Sequence, residues 1–259
     1  MNRIRLNDSS QSAMTSAKLR DQIDSFDHFE PRRSDHLFLP ASYEPNYDYP
    51  VIVWLHGDGG NQNQVCQMLP LVSVQNYVGI GVRGSRATDS LGHGFSWLHS
   101  EAGIAIAEQS VFDAIDAVSN LHCIDHSRIF VAGLEAGGTM AYRIALRHPN
   151  LFAGAISLGG CFPRGVRPLA NYESVKDLPL LMALGSDDAG YPTEHVCEDL
   201  KMLHSARMSM QLRQYDTQEL LSADVLRDVN QWVMGHITGQ DTLAAAVLSD
   251  TVPVEFSCN

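Results

Sequence analysis

The residues best suited to chemistry lie in a glycine-rich turn, GLEAGG, which begins at Gly133 and includes Gly137 and Gly138. An apolar run of strand-forming residues precedes this turn, and residues with helical spacing follow it. A strand, a tight glycine turn and a helix in this order are typical of the G-x-S-x-G elbow, which presents a serine nucleophile on a strained turn. The central residue here is Glu135, so a carboxylate occupies the position of that serine.

A second glycine-rich turn follows the apolar run 51–55 and begins with His56 and Gly57. Together the two turns resemble those of the α/β-hydrolases. The likeness is strongest to the phospholipase/carboxylesterase (acyl-protein thioesterase-like) and polyhydroxyalkanoate-depolymerase-like esterases, whose elbow typically reads Gly-x-Ser-x-Gly-Gly. The chain therefore resembles a serine esterase in which the nucleophile is replaced.

The resemblance also implies roles for the backbone around the elbow. In these esterases an oxyanion hole of backbone N–H groups stabilises the charge that develops on the substrate. The matching N–H groups here are those of Asp58, Gly59 and Ala136. His56 and Gly57 are expected to shape the loop, with His56 hydrogen-bonded to backbone groups and not acting as a base.

Two further esterase motifs are matched after later strands. The run that ends at Pro192 is similar to Gly-x-x-Asp-x-x-x-Pro, and counting back four residues places the catalytic acid at Asp188, with Asp187 as the alternative. Such a carboxylate could instead be solvated or cap the following helix. Relatives commonly carry Tyr-x-x-His-Glu before the last helix, which places their histidine at Gln218.

The triad implied by the resemblance is therefore Glu135, Asp188 and Gln218, where Ser, Asp and His are expected. No histidine lies between His204 and His236, so none can easily take the place of Gln218. Without an activated hydroxyl and a base, ordinary serine-esterase turnover is not expected.

Three functions are compatible with such a degenerate triad. The first is a carboxylesterase-like pseudoenzyme that binds a small acyl or ester-like ligand, or a partner, in the former substrate pocket. The second is an active hydrolase of an ester or thioester with reassigned residues, for instance Glu135 with Asp188 and a bound water. The third is a purely structural or interaction partner of an active paralogue. An open cleft beside Glu135 would favour the first two, and a filled cleft the third.

One more segment, Gly94 to Trp97, is similar to a Gly-aromatic-x-Trp segment of these esterases. There such loops border the substrate cleft, which implies that Trp97 lies at the cleft rim. The alternative is a tryptophan that packs on the protein surface and has no role at the cleft.

Strand and helix patterns alternate along the chain, which indicates the α/β class. We expect an α/β-hydrolase fold with a mostly parallel central sheet, helices on both faces and a minimal lid. The domain is predicted to span residues 35–238, between a polar N-terminal extension at 1–34 and a C-terminal tail at 239–259.

Composition narrows the choice of partners and location. The net charge of −12 disfavours nucleic acid and anionic membrane surfaces. No run reaches the ~18 apolar residues of a membrane span, and the first residues lack the apolar core of a signal peptide, so a cytoplasmic location is the default. The five cysteines are widely spaced and lack a C-x-x-C pattern, which favours reduced thiols. No cofactor or metal is expected, and the oligomeric state is not indicated.

Overall fold

The computed structural model of the chain describes residues 36–164, 172–186 and 190–239. The predicted N-terminal extension and Asp188 lie outside these ranges, as does the predicted tail from residue 240 onward. The described strands are β1 (His36–Phe38), β2 (Tyr49–Leu55), β3 (Val78–Val82), β4 (Arg86–Ala87), β5 (Phe95–Ser96), β6 (Ile124–Leu134), β7 (Gly154–Leu158), β8 (Leu180–Gly185) and β9 (Met210–Tyr215). The described helices are α1 (Gln64–Val72), α2 (Glu101–Ser119), α3 (Ala136–Arg147), α4 (Tyr172–Val175), α5 (Thr193–Ser205) and α6 (Ala223–Thr238).

Within the described residues, seven strands form one sheet in the order β1-β3-β2-β6-β7-β8-β9. Only β1 at the edge is antiparallel to its neighbour, and the other pairs are parallel. The short strands β4 and β5 form a separate antiparallel pair. The α/β class and the mostly parallel sheet are confirmed.

The sheet is buried on both faces because its strands carry apolar residues at odd and even positions alike. In β2, Val51, Val53 and Leu55 pack on the side covered by α2, α3 and α5, whereas Ile52 and Trp54 pack on the side covered by α1 and α6. This two-sided burial explains why β2 reads as a continuous apolar run. None of the described helices is long and apolar enough to cross a membrane.

Parallel pairing brings the carboxyl ends of six strands, β3, β2, β6, β7, β8 and β9, to one edge of the sheet. Leu55 pairs with Gly133, and Leu134 pairs with Leu158, so the loop after β2 lies beside the turn after β6. Gly185 pairs with Tyr215, so the loops after β8 and β9 lie side by side. Open α/β sheets bind their ligands at this edge.

Candidate active site

The turn between β6 and α3 holds Glu135 in a conformation that side chains rarely adopt. Its φ is 48° and its ψ is −118°. The strained backbone is fixed by two hydrogen bonds. The Glu135 N–H donates to the Leu158 carbonyl at 2.7 Å, and the Glu135 carbonyl accepts from the Thr139 N–H at 3.0 Å. Sparsely populated backbone held in this way is characteristic of functional sites. The predicted strained strand-to-helix turn is confirmed.

The elbow glycines allow α3 to approach the sheet closely. A Cβ on Gly137 would collide with the carbonyl oxygens of Leu55 and His56, at the end of β2. A Cβ on Gly138 would collide with the Ser157 hydroxyl of β7. Strand and helix can pack this tightly only without side chains at these positions, which accounts for the spacing of the motif.

The loop after β2 is organised around His56, whose side chain is completely buried. Its Nδ1 lies 2.7 Å from the Gly57 carbonyl oxygen, and its Nε2 accepts a hydrogen bond from the Gly84 N–H at 2.9 Å. An imidazole that donates through Nδ1 and accepts through Nε2 is the neutral tautomer. His56 thus connects two loops at this edge of the sheet, as expected of a residue that shapes the loop.

Trp97 requires a correction, because it packs beneath this loop and does not lie at the cleft rim. It is only 5% exposed, and its indole N–H donates to the His56 carbonyl at 2.8 Å. Its ring lies against the His56 ring, with centroids 5.0 Å apart. A buried indole needs a partner for its N–H, and the His56 carbonyl provides one.

Gly59 requires a second correction. Its N–H donates to the Phe95 carbonyl at 2.9 Å, so it is not available to an oxyanion. The Gly57 N–H is also engaged, with the Gln64 side-chain oxygen at 3.3 Å. Within the described ranges, the N–H groups of Asp58 and Ala136 donate to no other group. These two remain the candidates for an oxyanion hole.

The Glu135 carboxylate leans towards the loop after β2. A Cβ built on Gly57 would lie 3.2 Å from Glu135 Oε2. The carboxylate makes no capping hydrogen bond to its own helix. It therefore places negative charge beside the loop where a substrate oxyanion would need stabilisation, and like charges there repel.

A cavity of about 720 Å³ opens beside this turn. It brings together three residues of the predicted site: Glu135, Ala136 and Gln218. Its size falls within the range of small-molecule sites. Its other walls combine apolar groups with polar ones: Leu134, Phe162, Leu220, His99, Thr139, Arg143, Cys161, Arg164, Ser186 and several glycines.

Gln218 lies in the bend after β9, next to the end of β8. A Cβ on Gly185 would lie 3.3 Å from the Gln218 Cα and would collide with the Thr217 carbonyl oxygen. This places position 218 on the loop where the resemblance puts the histidine. Asp188 follows Gly185 by three residues and lies outside the described ranges.

Two cavity residues, His99 and Arg143, were missed by the sequence interpretation. Burial lowers the pKa of His99, the nearby Arg143 charge lowers it further, and Asp58 opposes the shift. Arg143 lies eight residues after Glu135 on α3, and Thr139 lies halfway between them. Side chains four apart share a helix face, so this spacing could have identified Arg143 from the sequence. No comparable signal marks His99.

The burial of His56 predicts an acid-dependent loss of stability. Burial lowers the pKa of His56 from its usual 6.5, although its bond to Gly57 and the Asp58 charge oppose this. Below pH 6.5 the unfolded chain gains a proton that the folded chain resists. His56 therefore costs no stability above pH 6.5, and stability falls as the pH drops from there towards the folded pKa, by at most about 1.4 kcal/mol per pH unit.

Urea unfolding between pH 7.5 and 5 measures this effect. We expect the free energy of unfolding to fall less steeply with acidity in His56→Gln than in the unmodified chain. His126→Gln, which replaces an exposed histidine, is the matched control and should retain the original slope. Identical slopes in all three proteins would exclude a neutral, buried His56.

The elbow, the loop after β2 and the cavity at the carboxyl ends of the strands define an α/β-hydrolase fold. The family model described as esterase PHB depolymerase matches residues 34–166, just over half of the chain. The chain belongs to this esterase family.

Known relatives agree with this assignment at low identity. NocK of Nocardia uniformis subsp. tsuyamanensis, named as an esterase, is 24% identical over 54% of this chain, and the match spans only 40% of NocK. MhqD of Bacillus subtilis (strain 168), named as a hydrolase, is 22% identical over 73% of this chain and 95% of its own length. The Bacillus cereus carboxylesterase structure superposes with a TM-score of 0.60 at 16% identity, covering 78% of this chain and 93% of that one. That structure supports the fold.

Proposed function

We propose that this chain is a pseudoenzyme of the esterase family that binds a small acyl or ester-like ligand in the cavity beside Glu135. The observation that carries the proposal is the position of Glu135, at φ 48° on the turn that opens onto the cavity. The turn has the form that presents a nucleophile, yet the residue presented is a carboxylate. The names of NocK and MhqD support a hydrolytic ancestry.

The chemistry of a carboxylate supports the loss of esterase turnover. Attack of Glu135 on an ester would give an anhydride, and a base would then have to activate water to release the acid. Gln218, at the position of the histidine, cannot accept a proton. The Glu135 carboxylate also lies next to the loop whose N–H groups would stabilise the oxyanion.

The open cavity favours ligand binding over a purely structural role. A chain that served only as an interaction partner would not need a cavity of about 720 Å³ beside its elbow. The apolar walls at Leu134, Phe162 and Leu220 suit an acyl group, and polar groups around them can orient it. The interaction hypothesis is therefore the weaker one.

The second candidate is a hydrolase with reassigned residues, and His99 is the observation that favours it. Its lowered pKa keeps the imidazole unprotonated near neutral pH, which is the state required of a base. His99 lies on the loop before α2 and lines the same cavity as Glu135. A bound water between the two would then be the nucleophile.

Hydrolysis of p-nitrophenyl butyrate separates the two candidates. We expect the unmodified chain to release p-nitrophenol no faster than the protein-free buffer, because the elbow presents a carboxylate in place of a hydroxyl and Gln218 cannot act as a base. His99→Gln should behave identically. Turnover by the unmodified chain that His99→Gln abolishes would establish the reassigned hydrolase instead.

Binding of octanamide tests the ligand site itself. Calorimetry should show binding to the unmodified chain and its loss in Thr139→Trp, whose indole would fill the cavity. Circular dichroism shows whether that variant folds. If the unmodified chain bound neither octanamide nor the corresponding acid, octanoate, the interaction role would be favoured.

Location and partners belong to the same proposal. A cytoplasmic setting is supported by the wide spacing of the cysteines, and a partner other than nucleic acid by the net charge of −12.

A further inference from the structure

The cavity wall contains a cation, Arg143, for which the proposed function has no role. Arg143 lies on α3 two helical turns beyond Glu135, about 12 Å along the axis. Glu135, Thr139 and Arg143 all line the cavity. The cavity therefore has a carboxylate at one end of this helix face and a guanidinium at the other.

Arg143 lacks a carboxylate partner within the described ranges. Its Nη2 donates to the Arg164 carbonyl at 3.1 Å, while its Nε is buried without any hydrogen-bond partner there. Neighbouring arginines differ in this respect. Arg147 pairs with Glu101 at 2.6 Å, and Arg164 lies 3.3 Å from Asp199.

The surroundings of Arg143 make the lack of a paired carboxylate energetically unfavourable. Partial burial lowers the pKa of Arg143, and the adjacent charge of Arg147 lowers it further, whereas Glu101 opposes the shift. The positive charge of Arg143 also lowers the pKa of His99, which lines the same cavity. A partly desolvated cation without a carboxylate in direct contact is unfavourable, and an anion bound in the cavity would relieve the cost.

We propose that Arg143 binds the carboxylate of an organic acid whose apolar body fills the cavity. This inference rests on the proposed function and specifies its ligand class. The Glu135 carboxylate repels an anion at the elbow, so the acid group is directed to the Arg143 end. The guanidinium fork matches the geometry of a carboxylate, and Phe162 provides apolar surface in the same cavity.

Calorimetric titration of the full chain with octanoate and with octanamide tests this ligand class. The two probes share an apolar chain and differ in charge. We expect octanoate to bind the unmodified chain at least about tenfold more tightly than octanamide, because hydrogen bonds to charged groups are the stronger ones. The preference should weaken at high salt.

Variants assign the preference to Arg143. Arg143→Gln should weaken octanoate binding to about the level of octanamide binding in the same variant, and Arg143→Lys should keep part of the preference for octanoate. Arg227→Gln is the matched control, because Arg227 is exposed and pairs with Asp224 outside the cavity. If Arg143→Gln fails to fold, Arg143→Lys decides the outcome, because an undiminished octanoate preference in that folded variant would overturn the role of the guanidinium.

The outcomes separate the inference from the proposed function. Equal binding of both probes to the unmodified chain would overturn the role of Arg143 and leave the ligand site intact. An octanoate preference that persists in folded Arg143→Gln would also overturn it. Failure of both probes to bind would overturn the ligand site together with the inference.

Discussion

The double variant Glu135→Ser with Gln218→His is expected to hydrolyse p-nitrophenyl butyrate at least about 10³-fold faster than the unmodified chain, since a working triad supplies much of an esterase's rate. The serine would stand on the strained turn already built for a nucleophile, at φ 48°. The histidine would stand at position 218, in the loop after β9. Positions 218 and 135 line the same cavity. Removal of the Glu135 carboxylate would leave the N–H groups of Asp58 and Ala136 accessible to an oxyanion.

The single changes should have little effect, because triad members act as a unit. Serine without histidine lacks a base, and histidine beside Glu135 would form an ion pair without a useful nucleophile. The matched control is Glu135→Ser with Gln218→Asn, which makes a similar polar change without a base. A folded double variant that remains as inactive as this control would show that Gln218 is not the position of the histidine.

Gly137→Ala is expected to lower the free energy of unfolding by about 3 kcal/mol. The added methyl group would collide with the carbonyl oxygens of Leu55 and His56, and backbone atoms cannot move aside as a flexible side chain can. Relief would require α3 to separate from the sheet beneath the elbow. Urea unfolding monitored by tryptophan fluorescence gives the value.

Gly59→Ala is the matched control for this change. Gly59 has φ +73° and open space where a Cβ would stand, so alanine there introduces backbone strain without a collision. Its expected cost is about 1 kcal/mol. Equal effects of the two substitutions would contradict the close approach of α3 to β2.

Buried parallel strands could be predicted well from the sequence, because their apolar runs end at glycine or polar residues. The run Val78–Val82 predicts β3 with the observed bounds. The apolar run before the elbow predicts a strand at 129–132, which is shorter than β6, because β6 begins at Ile124. The additional residues include exposed polar ones. The strand extends to Ile124 because Ile124 pairs with Tyr49, and that pairing is not visible in local composition.

The elbow could be predicted because its chemistry depends on residues that are adjacent in the chain. The orientation of Trp97 could not, since a Gly-aromatic-x-Trp pattern does not show whether the indole faces the cleft or the His56 carbonyl. Gly59 was misassigned for a similar reason. Its N–H donates to the carbonyl of Phe95, which lies in β5, far from Gly59 in the sequence but close to it in the fold. His99 enters the cavity only through folding.

Fluorophosphonate labelling, followed by intact-protein mass measurement, tests the central claim most directly. The unmodified chain and the Glu135→Ser, Gln218→His variant are treated side by side. The account predicts no adduct on the unmodified chain and a single adduct on the variant, mapped by peptide analysis to position 135. A stoichiometric adduct on the unmodified chain would contradict it, because an activated nucleophile would then exist outside the elbow.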